Sequence, residues 1–318
     1  MLRRIFFPKP CAALFTLTAM SFHAAPSPAL PPVSNGLQQI VEQSVSATLE
    51  PFANQQLKPD QLAVTVIDLR DPAQPVRGSY RGDVQIYPAS VIKLFYLAAA
   101  HRWMEDNRLK DTAELRRAMR DMMVDSSNEA THYIVDLLTD TTSGPELSDA
   151  EIDAWFEKRN TVNRYFASLG YTDINANKKP WCEGPYGRDT QSMKRHKPGR
   201  NMLTTDATAR LMTEIVLGQA VSTNRSTQMM ELMKRVPSLK NGDTDNQMAG
   251  YIGAALPPGS KLWSKVGGTS EMRHDAGYAE FPDGTKFVVV VFTIGHAEDR
   301  SIIPAVVRNI TARLSVAN

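Results

Sequence analysis

The chain has 318 residues, 42% apolar and 22% charged, a globular balance that excludes a largely disordered or collagen-like polymer. A folded chain of this length buries enough surface to need no metal or disulfide staple. The formal net charge of +2 becomes −1 once Arg3, Arg4 and Lys9 of the first 25 residues are set aside, which leaves no electrostatic case for nucleic acid.

Residues 1–25 have the pattern of an export signal. Met1–Pro10 is basic, Cys11–Phe22 is mostly apolar, and small Ala24 and Ala25 precede the proline-rich Pro26–Pro32. The apolar run is too short to span a bilayer and no longer one follows, so no integral membrane segment is expected after its removal. The expected location is a bacterial periplasm or the cell exterior. Only Cys182 then remains, so no intramolecular disulfide is expected, and Cys182 is read as a packed side chain.

Apolar residues at Leu37, Ile40, Val41 and Val45 predict a helix over Asn35–Leu49. Leu62–Leu69 is β-branched and flanked by turn residues, and Val76–Tyr80 reads as its hairpin partner. Helical spacing then runs through Ser90–Asp106, Thr112–Val124, Ser127–Leu138 and Asp149–Leu169. Asn175–Asn201 is polar and aperiodic, a loop long enough to be functional. Asp206–Leu217, capped by Thr205 or Asp206, and Thr223–Val236 are helices. Lys261–Val266, Asp275–Phe281 and Lys286–Thr293 are strands, with Pro282-Asp283-Gly284 turning the last pair. Ile302–Leu314 closes the chain as an amphipathic helix. This order predicts an α+β fold, an antiparallel sheet flanked by helices with an all-α insertion. Residues 26–89 and 223–318 form the α/β lobe. Residues 90–222 form the helical lobe, with a long loop over 175–203, and the ligand cleft lies between the lobes.

Ser90 and Lys93 lie three apart at a helix start, within reach of each other, and the apolar Leu-Phe-Tyr-Leu-Ala-Ala-Ala that follows predicts burial. A buried amine beside a hydroxyl is a base for a serine nucleophile, and helix N–H groups suit a developing oxyanion. Two further elements are Ser126-Ser127-Asn128, at the join of two helices, and Lys265-Val266-Gly267-Gly268, at a strand end. The six histidines show no metal-ligand spacing; His101, His132 and His196 read as surface or satisfied core residues, and the methionines as core packing.

Ser-x-x-Lys, Ser-x-Asn and Lys-x-Gly in this order resemble the penicillin-recognising serine enzymes, the class A β-lactamases and D-alanyl-D-alanine peptidases. Tyr87–Lys93, Met123–Asn128 and Thr204–Met212 resemble the corresponding class A segments, and the likeness runs from about Leu37 to Leu314. The resemblance implies a β-lactamase/transpeptidase-like fold without cofactor or metal. It makes Ser90 the acylated nucleophile, Lys93 its base and Ser126 the proton relay. Asn128 would bind the substrate amide and Lys265 its carboxylate, while Ser90 and Gly268 N–H groups, beside Gly267, would form the oxyanion hole. The implied substrate is a small β-lactam or a cell-wall peptide, handled by a monomer.

Four departures qualify the resemblance. The Ser90–Ser126 interval is short, Val266 stands where a hydroxyl residue is usual, and Ser127 replaces an Asp. The fourth is the deacylating glutamate. Glu183 is the only Glu between Glu157 and Glu214, yet Glu-x-x-Leu-Asn is absent, so its spacing favours a bystander. Arg273 could supply the anion contact that Val266 cannot. The expectation is therefore an exported β-lactamase-like serine hydrolase of weak lactam turnover. Its alternatives are a D-alanyl-D-alanine peptidase or esterase, and a non-catalytic cell-wall or lactam sensor.

Overall fold

The computed structural model describes residues 29–235 and 248–314. The export signal expected over 1–25 lies outside the described residues, as does Val236. Helix α1 (Asn35–Phe52) leads into β1 (Leu62–Asp68) and β2 (Val76–Tyr80). Then come α2 (Lys93–Glu105), α3 (Ala113–Met123), α4 (Asn128–Thr139), α5 (Asp149–Arg159) and α6 (Thr161–Ser168). Next are α7 (Gly187–Arg195), α8 (Thr205–Val216) and α9 (Thr223–Met233). The chain ends with β3 (Lys234–Arg235), β4 (Lys261–Gly268), β5 (Met272–Glu280), β6 (Lys286–Ile294) and α10 (Ile302–Leu314).

The strands form one antiparallel sheet in the order β2-β1-β6-β5-β4-β3, so the first strands pair with the last and the helical segment is an insertion between them. Strand β6 is apolar almost throughout because both its faces are covered. Phe287, Val289 and Val291 face α1 and α10, joining Val41, Val45, Val307 and Ile310. Val288, Val290 and Phe292 face the other way, into the core of α2, α4 and α8. Each such buried side chain contributes about 1.5–3 kcal/mol. Met119, Met122 and Met123 are buried in that second core, as packing requires.

Three local expectations are corrected. Asp149–Leu169 is two helices, not one, broken at Asn160. The Thr161 hydroxyl takes the Lys158 carbonyl, and Asn160 Oδ1 accepts from Asn163 and Asn177, so side chains compete with the helical ladder. Helix α8 is capped by Thr204, whose hydroxyl accepts from Ala207 N. Thr205 and Asp206 do not cap it because both bond Thr65 on β1, which seats α8 on the sheet. The region Asn175–Asn201 contains α7, invisible to periodicity because the side chains it buries are Asp189 and Ser192. Among the described residues, no helix is long and apolar enough to cross a membrane.

Candidate active site

Ser90 does not open an α-helix directly. It lies in a 3-10 turn, Ala89–Ile92, that feeds α2 at Lys93. Lys93 closes that turn, its backbone N–H donating to the Ser90 carbonyl, so the two residues lie one 3-10 turn apart. Ala89 enters the turn at φ 46°, a left-handed conformation that costs a non-glycine residue about 1–2 kcal/mol.

Lys93 is fully buried although it carries an amine. Its Nζ donates to the Ser126 carbonyl (2.5 Å), Asn128 Oδ1 (2.8 Å) and Ser126 Oγ (3.3 Å). Ser126 presents both of its oxygens to this amine from φ 56°, the second strained residue of the cluster. Lys265, also fully buried, donates from Nζ to the same Ser126 Oγ (2.9 Å) and to the Val266 carbonyl (2.9 Å). Burial lowers the Lys93 pKa to about 7, against the opposing pull of Cys182 and Glu129. Burial likewise drives Lys265 well below its ordinary value, with the positive charges of Lys93 and Arg235 adding to the effect. One serine hydroxyl therefore bridges two amines that can be neutral near pH 7, an arrangement that can carry a proton in either direction.

Strand β4 forms one wall of the cleft. Gly267 packs so closely on the turn of Ser90 that a Cβ there would lie 2.7 Å from the Pro88 carbonyl and 3.1 Å from Ser90 N. Gly268, at the exposed end of the strand, has the Tyr251 hydroxyl beside it. Arg273 pairs with Gly268 across the ladder; its guanidinium lies over the Tyr251 ring (4.3 Å) and donates to the Gly250 (3.2 Å) and Ala297 (2.9 Å) carbonyls. The arginine is thus held at the end of the cleft as a fixed cation.

The opposite wall is the segment from Asn175 to Glu183, held by side chains. Tyr96, one turn beyond Lys93 on α2, donates to the Lys178 carbonyl (2.6 Å). Lys179 pairs with Asp136 on α4 (2.7 Å) and donates to Ser143 Oγ (2.9 Å). Buried Arg159 lies 3.5 Å from both Asp136 and Asp189. The His132 ring sits on Trp181 (4.3 Å) and bonds the Pro180 carbonyl. This route delivers Cys182 to the site: the Asn128 amide donates to Cys182 Sγ at 3.3 Å.

Cys182 is exposed at the cleft, not packed as expected. Glu183 is exposed too, and no hydrogen bond or ion pair joins it to Ser90, Lys93, Ser126 or Asn128. Sequence reasoning thus singled out Ser90, Lys93, Ser126, Asn128, Lys265 and Gly267, which the fold brings together, but missed Cys182 and Glu129. The only available signal was adjacency, Glu129 to Asn128 and Cys182 to Glu183. His101 also differs from the satisfied residue expected. It is buried with neither ring nitrogen hydrogen-bonded, and burial lowers its pKa to about 4, which keeps it neutral. Among the described residues, no group of three His, Cys, Asp or Glu could hold a metal ion.

The same architecture occurs in solved structures. A β-lactamase from Sphaerobacter thermophilus superposes with TM-score 0.59 at 19% identity, covering 87% of this chain and 97% of its own. A PBP-A variant, solved as an acyl-enzyme complex with penicillin G, gives 0.60 at 18%, with coverages of 91% and 99%. A class A representative from Bacteroides cellulosilyticus gives 0.59 at 16%, with coverages of 88% and 98%. No curated protein sequence matches the chain. The profile of the Beta-lactamase enzyme family matches residues 43–314, and the chain belongs to that family.

Proposed function

We propose that the protein is an exported, β-lactamase-like serine hydrolase that cleaves β-lactam or cell-wall peptide amides through an ester on Ser90. The carrying observation is the buried Lys93 amine, its pKa near 7, in one hydrogen-bonded unit with Ser126 and Lys265 behind the nucleophile turn. A neutral Lys93 keeps two N–H bonds, to the Ser126 carbonyl and Asn128 Oδ1, and turns its lone pair to the Ser90 hydroxyl. Ser90 Oγ then adds to the amide carbonyl as Lys93 takes its proton. The oxyanion is met by the N–H groups of Ser90 and Gly268. The C–N bond breaks as the nitrogen receives a proton from Ser126, which is replenished from the lysines. Water then hydrolyses the ester, releasing a carboxylic acid and restoring Ser90. Lys265 and Arg273 offer the positive charge for a substrate carboxylate.

One observation favours a second reading, a D-alanyl-D-alanine peptidase or esterase of the same family. The loop presents a thiol, Cys182, to Asn128, while the neighbouring carboxylate stays outside the cluster. A site without a placed carboxylate base acylates readily and releases slowly. The acyl-enzyme of PBP-A with penicillin G supports the acylation step common to both readings. Incubation with penicillin G and with a chromogenic cephalosporin, followed by intact-protein mass, tests this. A covalent adduct in the native protein that is absent from Ser90→Ala is expected, with slow or no cephalosporin turnover. An equal adduct on Ser90→Ala, or no adduct and no turnover in the native protein, removes the proposal.

A further inference from the structure

We propose that His274, inside strand β5, is a positioning residue that holds the nucleophile turn, acting on Ser90 through the backbone of Tyr87. The side chain is fully buried in the sheet face that meets the helical segment, packed against Phe292 with ring centroids 4.5 Å apart and planes tilted by 42°. Its Nδ1 accepts the Thr293 backbone N–H at 3.1 Å. An imidazole nitrogen that accepts carries no proton, so the hydrogen is on Nε2, which donates to the Tyr87 carbonyl at 2.9 Å. Burial lowers the pKa to about 4, and the ring keeps this neutral tautomer at any pH at which Lys93 is a base.

The Tyr87 carbonyl is where a tether has most effect. Ala89, two residues on, is held at φ 46°, and a strained turn persists only when its surroundings fix it. Ile86 and Leu203 exchange backbone hydrogen bonds of 2.8 and 2.9 Å on the helical side. Arg200 covers the Tyr87 ring at 4.2 Å. On the sheet side, Gly267 touches the turn without bonding it, and the directional bond comes from His274. The register places His274 opposite Gly267 in the ladder, so the same pair of strand positions fixes both Ser90 N and the segment that enters its turn. An oxyanion donor displaced by a fraction of an ångström loses its effect in the transition state while leaving substrate binding intact.

The inference rests on Ser90 being the acylated residue, and the test separates the two. Stopped-flow acylation by a fluorescent penicillin gives the binding constant and the acylation rate constant for the native protein, His274→Phe and His274→Gln. Phenylalanine keeps the ring and removes the donor; glutamine replaces the donor at similar reach. Loss of about 10–100-fold in the acylation rate constant in His274→Phe, with the binding constant unchanged and most of the rate restored in His274→Gln, is the expected result. Rates are referred to the fraction of protein folded by circular dichroism. If His274→Phe does not fold, His274→Met, a flexible side chain without a donor, takes its place. Native-like acylation in the donorless variant, or equal loss in His274→Gln, overturns the positioning role and leaves the Ser90 reading standing. A native protein that takes up no penicillin overturns both.

Discussion

The two walls of the cleft are built on opposite principles. Strand β4 is held by backbone, paired with β5 from Lys261 opposite Glu280 to Gly268 opposite Arg273. Its course does not depend on which side chains it carries, and Val266 can stand in place of a hydroxyl residue without disturbing Lys265 or Gly267. The facing segment has one short backbone bridge, Asn175 with Met202, and otherwise hangs on individual side chains: Tyr96, His132, Asp136, Asn163 and Asn201. Backbone pairing fixes a position for any sequence; a mesh of buried charges fixes it for one sequence only. Apart from Gly267, where a Cβ would strike the Pro88 carbonyl, the β4 wall therefore keeps its course when side chains change, whereas the loop wall is where a substitution alters both stability and chemistry.

The sharpest break leaves both walls standing and removes the chemistry between them. Lys93→Arg places an always-charged guanidinium where a base is needed, and acylation of Ser90 should fall by about 10²–10⁴-fold. In the native protein the acylation rate should rise with pH through about 7 and then level, because only the neutral amine accepts the Ser90 proton. Pre-steady-state acylation measured from pH 5 to 9 checks both statements, and a flat native profile would remove Lys93 from the base role.

Breaking the loop wall alone comes next. Lys179→Met leaves Asp136 without its closest cation, and we expect about 2–4 kcal/mol of lost stability, less than a fully buried pair would cost because Asp136 is partly exposed. Urea unfolding gives the loss, and limited proteolysis should locate new cleavage within 175–201. A variant as stable as the native protein would show that the wall is held some other way.

Cys182→Glu sharpens the comparison by changing the chemistry that the loop carries. It sets a carboxylate beside Asn128, and deacylation of the penicillin ester should accelerate by about tenfold, short of a fully placed general base. Decay of the adduct, followed by mass, is the measurement; an unchanged lifetime would mean that position 182 does not govern water. The smallest effect is expected at the neighbouring residue. Glu183→Gln should change acylation and deacylation by less than about threefold, since an exposed carboxylate outside the hydrogen-bonded cluster has little to lose. A trapped acyl-enzyme specific to this variant would reverse the assignment.

The same contrast decides what could be read in the sequence. Strands β1 and β6 were legible because β-branched runs mark a sheet buried on both faces, and β5 through the Pro282-Asp283-Gly284 turn that joins it to β6. Ser90 and Lys93 were legible as a pair three apart before an apolar helix, and Ser126 only through the order of motifs that the resemblance supplies. The loop was not. Helix α7 buries Asp189 and Ser192, and no apolar period announces it. Cys182 reaches Asn128 only because residues 96, 132 and 136 hold the segment before it, a conjunction of three distant positions that no local window contains. Sequence periodicity reports hydrophobic burial well and ionic burial hardly at all.

The hydroxyl of Ser126, bonded to both Lys93 and Lys265, has a thermodynamic consequence. Two amines in one water-poor space repel each other's charge, so they titrate as a coupled unit with shared macroscopic constants, and neither lysine owns its proton outright. An anion that settles against Lys265 draws the charge to that side. By linkage, the proton affinity of Lys93 falls as that of Lys265 rises. Under the proposed function, a negatively charged ligand would thus activate the base as it binds, and an analogue stripped of its carboxylate would forfeit reactivity as well as affinity.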